Sequence, residues 1–244
     1  GDGYNINNFV TIGRKLNDKG RTVSFTFNNS IRKDNSKGTN YSQTTYNEGK
    51  DDKIIDQQNK TDNNTSNYTL SLSYVEPLGK DHRLQFTYSY GVNNSERMRD
   101  VRKKDGAGNY TVLDTAYARN TQNRYVNQNI SLNFQTTKEK YNYTIGLSID
   151  PSYSRSKVSI ADSIIENLKQ NVINFSPTLN FSYQPNDHTN LDISYSGSTS
   201  QPGITQLSAD TIIVSALSKY YGKHLRKRNQ IMKQDYVIMK NDWL

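Results

Sequence analysis

Between Val10 and Tyr195, apolar and small polar residues alternate in stretches about ten residues long. Leu70, Leu72 and Tyr74 interleave with Thr69, Ser71 and Ser73; Leu84, Phe86, Tyr88 and Tyr90 with Gln85, Thr87 and Ser89. The same pattern returns at Ile130–Phe134 and at Leu179–Tyr183. Successive side chains of a strand point to opposite faces, so each stretch builds one apolar face and one wet face. A half-buried soluble sheet alternates too. Here the wet face is mostly uncharged Ser, Thr, Asn and Gln, and the apolar face is rich in Tyr and Phe. Strands of about 9–11 residues with this dyad repeat are the signature of a transmembrane β-barrel.

The alternation assigns residues to faces. Val23, Phe25, Phe27, Leu70, Leu72, Leu84 and Phe86 belong to the lipid-facing set. So do Ile130, Leu132, Phe134, Ile145, Leu147, Leu179, Phe181, Leu191 and Ile193. Ser71, Thr87, Ser131, Thr144, Asn180 and Ser194 belong to the lumen. Tyr favours the headgroup level, where its ring is apolar and its hydroxyl stays wet. Tyr74, Tyr141 and Tyr183 each flank a tight turn and are expected to form one aromatic belt, with Tyr90, Tyr110, Tyr117 and Tyr153 toward the opposite end.

Eight strands are expected, near Phe9–Leu16, Arg21–Lys33, Asn67–Val75, Arg83–Val92, Arg124–Gln135, Tyr141–Asp150, Asn171–Tyr183 and Asn190–Gly197. Asn17–Gly20, Glu76–His82, Thr136–Lys140 and Gln184–Thr189 are short connections, with Asp-Lys-Gly, Pro-Leu-Gly and Pro-Asn-Asp turn chemistry. Between them run long polar connections, Asp34–Ser66, Asn93–Asn123 and Pro151–Gln170, in which Tyr41–Tyr46 and Val112–Tyr117 alternate weakly. Outer-membrane barrels have short periplasmic turns and long external loops. A strand edge facing hydrocarbon leaves backbone groups unpaired at several kcal/mol each, so such a sheet must close. Eight strands suffice for a small barrel filled by side chains; a larger one draws strands from beyond this chain.

A mean hydropathy of −0.91 looks too polar for a membrane protein. A barrel shows lipid only every second residue and adds polar loops, which accounts for the value. The 18 Tyr and 7 Phe argue against a disordered chain. No run of about 18 apolar residues is present, so a membrane helix is excluded. With no Cys there is no disulfide, thiolate metal site or cysteine nucleophile.

Candidate chemistry is sparse. Arg97, Arg99, Arg102, Lys103 and Lys104 form a basic run that reads as a solvated external loop, or one touching lipopolysaccharide, rather than a nucleic-acid platform. His82, His188 and His224 show no metal-ligand spacing. Asp105-Gly-Ala-Gly-Asn109 lacks the spaced acidic ligands of a calcium loop and reads as a turn. No nucleophile elbow, P-loop or dinucleotide fingerprint occurs. No catalytic residue, cofactor or metal is assigned, and the chain is read as a non-enzyme.

Leu72-Ser-Tyr-Val-Glu-Pro-Leu-Gly-Lys80, followed by Leu84-Gln-Phe-Thr-Tyr88, resembles a hairpin of the outer-membrane β-barrel family found in Bacteroidetes-type TonB-dependent receptors. Phe175-Ser-Pro-Thr-Leu-Asn-Phe-Ser-Tyr183 is similar as well. The most specific element is Ser200, Gln201, Pro202, Ile204, Gln206 and Leu207. The resemblance covers roughly residues 14–207. It implies a large barrel, typically of 22 strands, around a plug, importing a bulky nutrient with energy from the TonB complex. Nothing in the chain resembles the plug or the TonB box, so the chain reads as a barrel slice whose parent meets TonB through other, N-terminal parts.

Past Leu207 the resemblance stops and composition shifts. Residues 209–244 hold seven Lys and Arg against three Asp and Glu, with Trp243, Met232 and Met239, and the alternation disappears. The expected division is a barrel segment over 1–207 and a divergent basic tail over 208–244 lying outside the sheet. Either the frame changes near Leu207 or the tail is native, helical from Ile212 to Tyr221 and suited to a membrane surface or a partner. The function expected is a segment of an outer-membrane receptor barrel taking up an unknown large solute, in contact with lipid and lipopolysaccharide and not with nucleic acid. Two alternatives remain: a soluble or surface-attached all-β adhesion protein, and a complete eight-stranded structural barrel.

Overall fold

The computed structural model describes residues 1–45 and 53–197, and beyond them the backbone of 211–215, 218–221 and 238–240. The chain is all β. Nine strands precede residue 198: β1 (Gly3–Lys15), β2 (Thr22–Thr44), β3 (Lys53–Pro77), β4 (His82–Lys104), β5 (Tyr110–Leu113), β6 (Arg119–Thr137), β7 (Tyr141–Ile160), β8 (Ser163–Asn186) and β9 (Thr189–Ser196). Three short ones follow: β10 (Thr211–Ser215), β11 (Ser218–Tyr221) and β12 (Ile238–Lys240). One antiparallel sheet runs β1-β2-β3-β4-β6-β7-β8-β9-β12, with β5 on the end of β4, and β10 pairs with β11. Among the described residues no second sheet covers the apolar face of the long strands, as the sandwich expected of the soluble alternative requires. The sheet does not close on itself among the described residues, as a complete eight-stranded barrel requires.

The tight turns fall where their residues demand them. Gly20 and Gly79 sit at φ of 93° and 121°, where only glycine is unstrained, at the β1–β2 and β3–β4 connections. Asn17 Oδ1 accepts the Arg21 N–H at 3.0 Å and fixes the first of these. At the opposite end the expectation of long loops is corrected. Asp34–Thr44 and Lys53–Ser66 extend β2 and β3, Asn93–Lys104 extends β4, and Pro151–Gln170 is almost wholly strand. β7 and β8 meet in a two-residue turn at Ala161 and Asp162, both at positive φ (44° and 67°), as a type I′ hairpin requires. The extensions escape the alternation rule because most of their positions, on either face, bear polar side chains. Cross-strand pairing keeps them extended.

The tail also differs from expectation. Thr211–Tyr221 forms a hairpin instead of a helix. Thr211, Ile212, Ile213 and Val214 are β-branched, stiff at χ1 and better accommodated on a pleated surface. Ile238–Lys240 pairs with Asn190–Asp192, so part of the tail joins the sheet, at the unpaired edge that β9 offers.

Candidate functional site

The ladder registers carry the face assignment across the sheet. Phe25 opposes Leu72 and Phe27 opposes Leu70. Leu84 opposes Phe134 and Phe86 opposes Leu132; these continue to Ile145 and Leu147. Ile145 meets Leu179, Phe181 meets Ile193, and Tyr183 meets Leu191. Val23 pairs with Tyr74 and Tyr88 with Ile130, so all sixteen residues expected to face lipid lie on one face. Leu132 is 49% exposed and Leu147 50%. An apolar surface this continuous is stable only against another apolar medium.

Near the tight turns this face carries aromatic rings. Tyr141 pairs directly with Tyr183 across β7 and β8. Tyr141 stacks on Tyr143 at 6.4 Å between centroids, Tyr143 leans on Phe134 at 6.1 Å, and Phe134 stacks on His82 at 5.8 Å. His82 Nδ1 lies 2.8 Å from the hydroxyl of Thr136, a residue almost completely buried. His82 is thus a rim residue. Tyr74, three residues before the end of β3, donates its hydroxyl to Glu76, which takes two 2.6 Å hydrogen bonds from Arg21.

The opposite face is small and polar. Thr26 opposes Ser71, Ser71 opposes Ser89, Thr87 opposes Ser131, and Thr144 opposes Asn180, which meets Ser194. The six residues expected to line the lumen therefore share this face. Hydroxyls and amides bridge the strands, as between Ser71 and Ser89 at 2.7 Å. Pro151 has no N–H to donate, and the β6–β7 ladder is interrupted there, between the pairs Asn127–Ser152 and Ile130–Ile149. Beside the gap lies a polar hollow of about 250 Å³. At its margin Asp150 accepts Asn129 Nδ2 at 2.5 Å and the Ser176 hydroxyl at 3.1 Å.

At the tall end the chain between β4 and β6 folds over the sheet. Asp114, 2% exposed, accepts Gln57 Nε2 at 2.7 Å and lies 3.2 Å from Lys103 Nζ. Its second oxygen accepts the Ala116 N–H, and Val101 beneath it is fully buried. Asp56 accepts Lys104 Nζ at 2.7 Å and the Tyr110 hydroxyl at 2.5 Å. The ammonium of Lys104 first, and then the phenol of Tyr110, hold the Asp56 carboxyl below the usual carboxylate range. The same pairing raises Lys104 and Tyr110. Asp105 accepts the Thr111 hydroxyl and the N–H groups of Ala107 and Asn109, so its turn is closed by the chain's own donors. Sequence reasoning missed Asp114 and Gln57. Val112–Tyr117 carried only a weak alternation, and Gln57 lies 57 residues from Asp114.

The motif Ser200, Gln201, Pro202, Ile204, Gln206 and Leu207 lies outside the described residues, as does His224. Arg97, Arg99 and Lys103 alternate onto the lumen face of β4, whereas Arg102 and Lys104 fall on the other. The basic run therefore divides between two surfaces instead of forming one loop patch.

The fold is shared with solved structures. The siderophore receptor PiuA from Acinetobacter baumannii superposes with a TM-score of 0.55 at 14% identity, over 82% of this chain and 33% of that one. The ferric citrate transporter FecA in its unliganded form gives 0.53 at 14% identity, over 84% of this chain and 29% of that one. The chain thus spans about a third of the length of the receptors it matches. No curated protein sequence matches significantly. Residues 14–222 match the sequence family described as outer membrane protein beta-barrel family, fifteen residues beyond Leu207. With nine-tenths of the described wall inside that match, the chain belongs to the outer membrane protein beta-barrel family, in the bacterial outer membrane.

Proposed function

We propose that this chain forms part of the wall of a wide receptor barrel that admits a bulky solute across the outer membrane, driven by the TonB complex through other parts of the parent protein. The observation that carries this reading is the inner face. Ser71, Thr87, Ser131 and Ser148, with Gly91 and Gly146, line it on successive strands. Side chains this small do not fill the core of a small closed barrel, but they suit a broad, hydrated lumen. Likeness to a siderophore receptor and a ferric citrate transporter supports the same direction. The role proposed for this segment is scaffold, without catalysis. Its apolar face meets lipid and lipopolysaccharide, and its tall hairpins meet the solute first.

The test is uptake by cells with and without the gene, using labelled ferric siderophores, ferric citrate and oligosaccharides, each with and without a protonophore. Loss of uptake of one solute on deletion, matched by loss under the protonophore, supports the reading. Uptake of the whole panel that is unchanged by deletion overturns it, as does uptake indifferent to the protonophore.

A further inference from the structure

The outer face changes character abruptly above its apolar band. Tyr68, Val92, Val126 and Tyr153 are consecutive partners across β3, β4, β6 and β7, and form the last row with apolar side chains throughout. Two residues further along each strand, Arg124 opposes Arg155 and Arg155 opposes Lys169. Like charges placed directly opposite on neighbouring strands destabilise a sheet unless an anion lies between them. The next row adds Lys33 and Lys157. Between these rows runs a groove of about 640 Å³, with Tyr4 and Ile31 at its β1–β2 end.

The groove has one carboxylate, Glu96, and Gln122 already donates to it at 2.9 Å. Arg155 uses Nε on Asn167 at 3.1 Å. Among the described residues no carboxylate forms a salt bridge with Lys33, Arg124, Arg155 or Lys157. Guanidinium groups have the planar fork that matches phosphate oxygens, and two of them stand side by side here.

We propose that this groove is a binding site for the phosphorylated headgroup of outer-leaflet lipopolysaccharide, with Arg124 and Arg155 as its principal phosphate ligands. The inference rests on the outer-wall assignment and not on transport. Position selects the occupant. A free anion in solution would use the cations alone, whereas a phosphorylated glycolipid also lays its acyl chains on the apolar band that begins one row below, at Val126 and Tyr153. The cations stand one row above the apolar band, at the height of a lipid headgroup.

The test compares the protein extracted from outer membranes with its Arg124→Glu/Arg155→Glu form and with Arg97→Glu, a charge reversal on the lumen face. Lipid A retained per protein is measured by mass spectrometry. Binding of diphosphorylated and enzymatically dephosphorylated lipid A is measured in detergent. The double reversal is expected to lower retained lipid A and affinity for the diphosphorylated form at least tenfold, with Arg97→Glu unchanged. Dephosphorylated lipid A should bind the unaltered protein at least tenfold more weakly. Equal retention in the double reversal overturns the proposal. So does equal binding of both lipids, or displacement by equimolar inorganic phosphate, which would mark a site for soluble anions. Resistance to SDS before boiling reports folding. If the reversal does not fold, Arg124→Gln/Arg155→Gln is read in the same way. The uptake assay is independent of this measurement, so failure of one reading is distinguishable from failure of the other.

Discussion

Tyr141 and Tyr183 are direct partners in the ladder between β7 and β8, one opening its strand and the other three residues from the end of its own. Both hydroxyls therefore stand at the tight-turn rim of the apolar face. The chain has no cysteine, so single labels are unambiguous. Nitroxides on cysteines replacing Tyr74, Tyr141 and Tyr183 should report one shallow depth in lipid, and a label replacing Leu132 a greater depth. A label at Tyr74 as deep as that at Leu132 would remove Tyr74 from the belt.

Neighbouring residues should respond oppositely to charge. Leu132→Arg places a cation on the apolar face and is expected to cost about 2–4 kcal/mol near the bilayer midplane. Ser131→Arg points the same group into the hydrated lumen and should cost distinctly less. Denaturant unfolding in micelles measures both, and equal losses would reverse the face assignment.

Asp114 closes the segment between β4 and β6. Asp114→Ala leaves the Gln57 amide and the Ala116 N–H without their acceptor, at a local cost of about 1–3 kcal/mol for a buried unmade bond. Trypsin should then cut at Lys103, Lys104 or Arg119 while migration of the unboiled protein stays unchanged. Cleavage at the rate of the unaltered protein would show that Asp114 does not hold the segment.

The Asp56–Lys104–Tyr110 clasp should tolerate acid. The folded carboxyl lies below its ordinary value, so its contribution is present above about pH 3.9 and lost only as pH falls through the lower folded value. Lys104 is raised, so its share is present at neutral pH and lost only above the ordinary lysine range. The carboxyl carbon shift of Asp56 should titrate below that of an exposed aspartate, and Tyr110→Phe should move it upward. Titration at the ordinary value would dissolve the clasp.

The hairpin joining β7 and β8 carries a residue ill suited to it. Ala161 adopts a φ of 44°, a left-handed conformation costly for alanine and favoured by asparagine. Replacing Ala161 and Asp162 by Asn and Gly should stabilise the hairpin by about 1 kcal/mol. Slower amide exchange at Ile160 and Ser163 checks this, and unchanged exchange would mean the turn is unstrained.

The part of the fold legible in the sequence is the part that hydrocarbon constrains. Leu70–Tyr74 and Leu84–Tyr90 alternate because every second side chain must suit lipid, and the register pairs them as the pattern implies. Residues 53–66 and 93–104 are as regular in the structure and carry no such signature. Water accepts any polar side chain on either face, so Asn63 opposite Arg97 leaves no periodic trace. Ala161-Asp162 is not a turn sequence that marks a two-residue hairpin, which hid the continuity of β7 and β8. Arg124 and Arg155, 31 positions apart, become neighbours only through the register.

β2 has 23 residues and β3 has 25, and at about 3.3 Å per residue they run about 75–85 Å. Fewer than half of those residues lie at membrane depth. The remainder forms a palisade standing clear of the lipid, held by backbone pairing that, outside clasps such as Asp56–Lys104 and Gln57–Asp114, is indifferent to which polar side chain each position bears. Polar-for-polar substitutions at its unclasped positions leave the wall below untouched. The tall end is thus free to vary in sequence, while the stave of wall beneath it stays fixed by the bilayer.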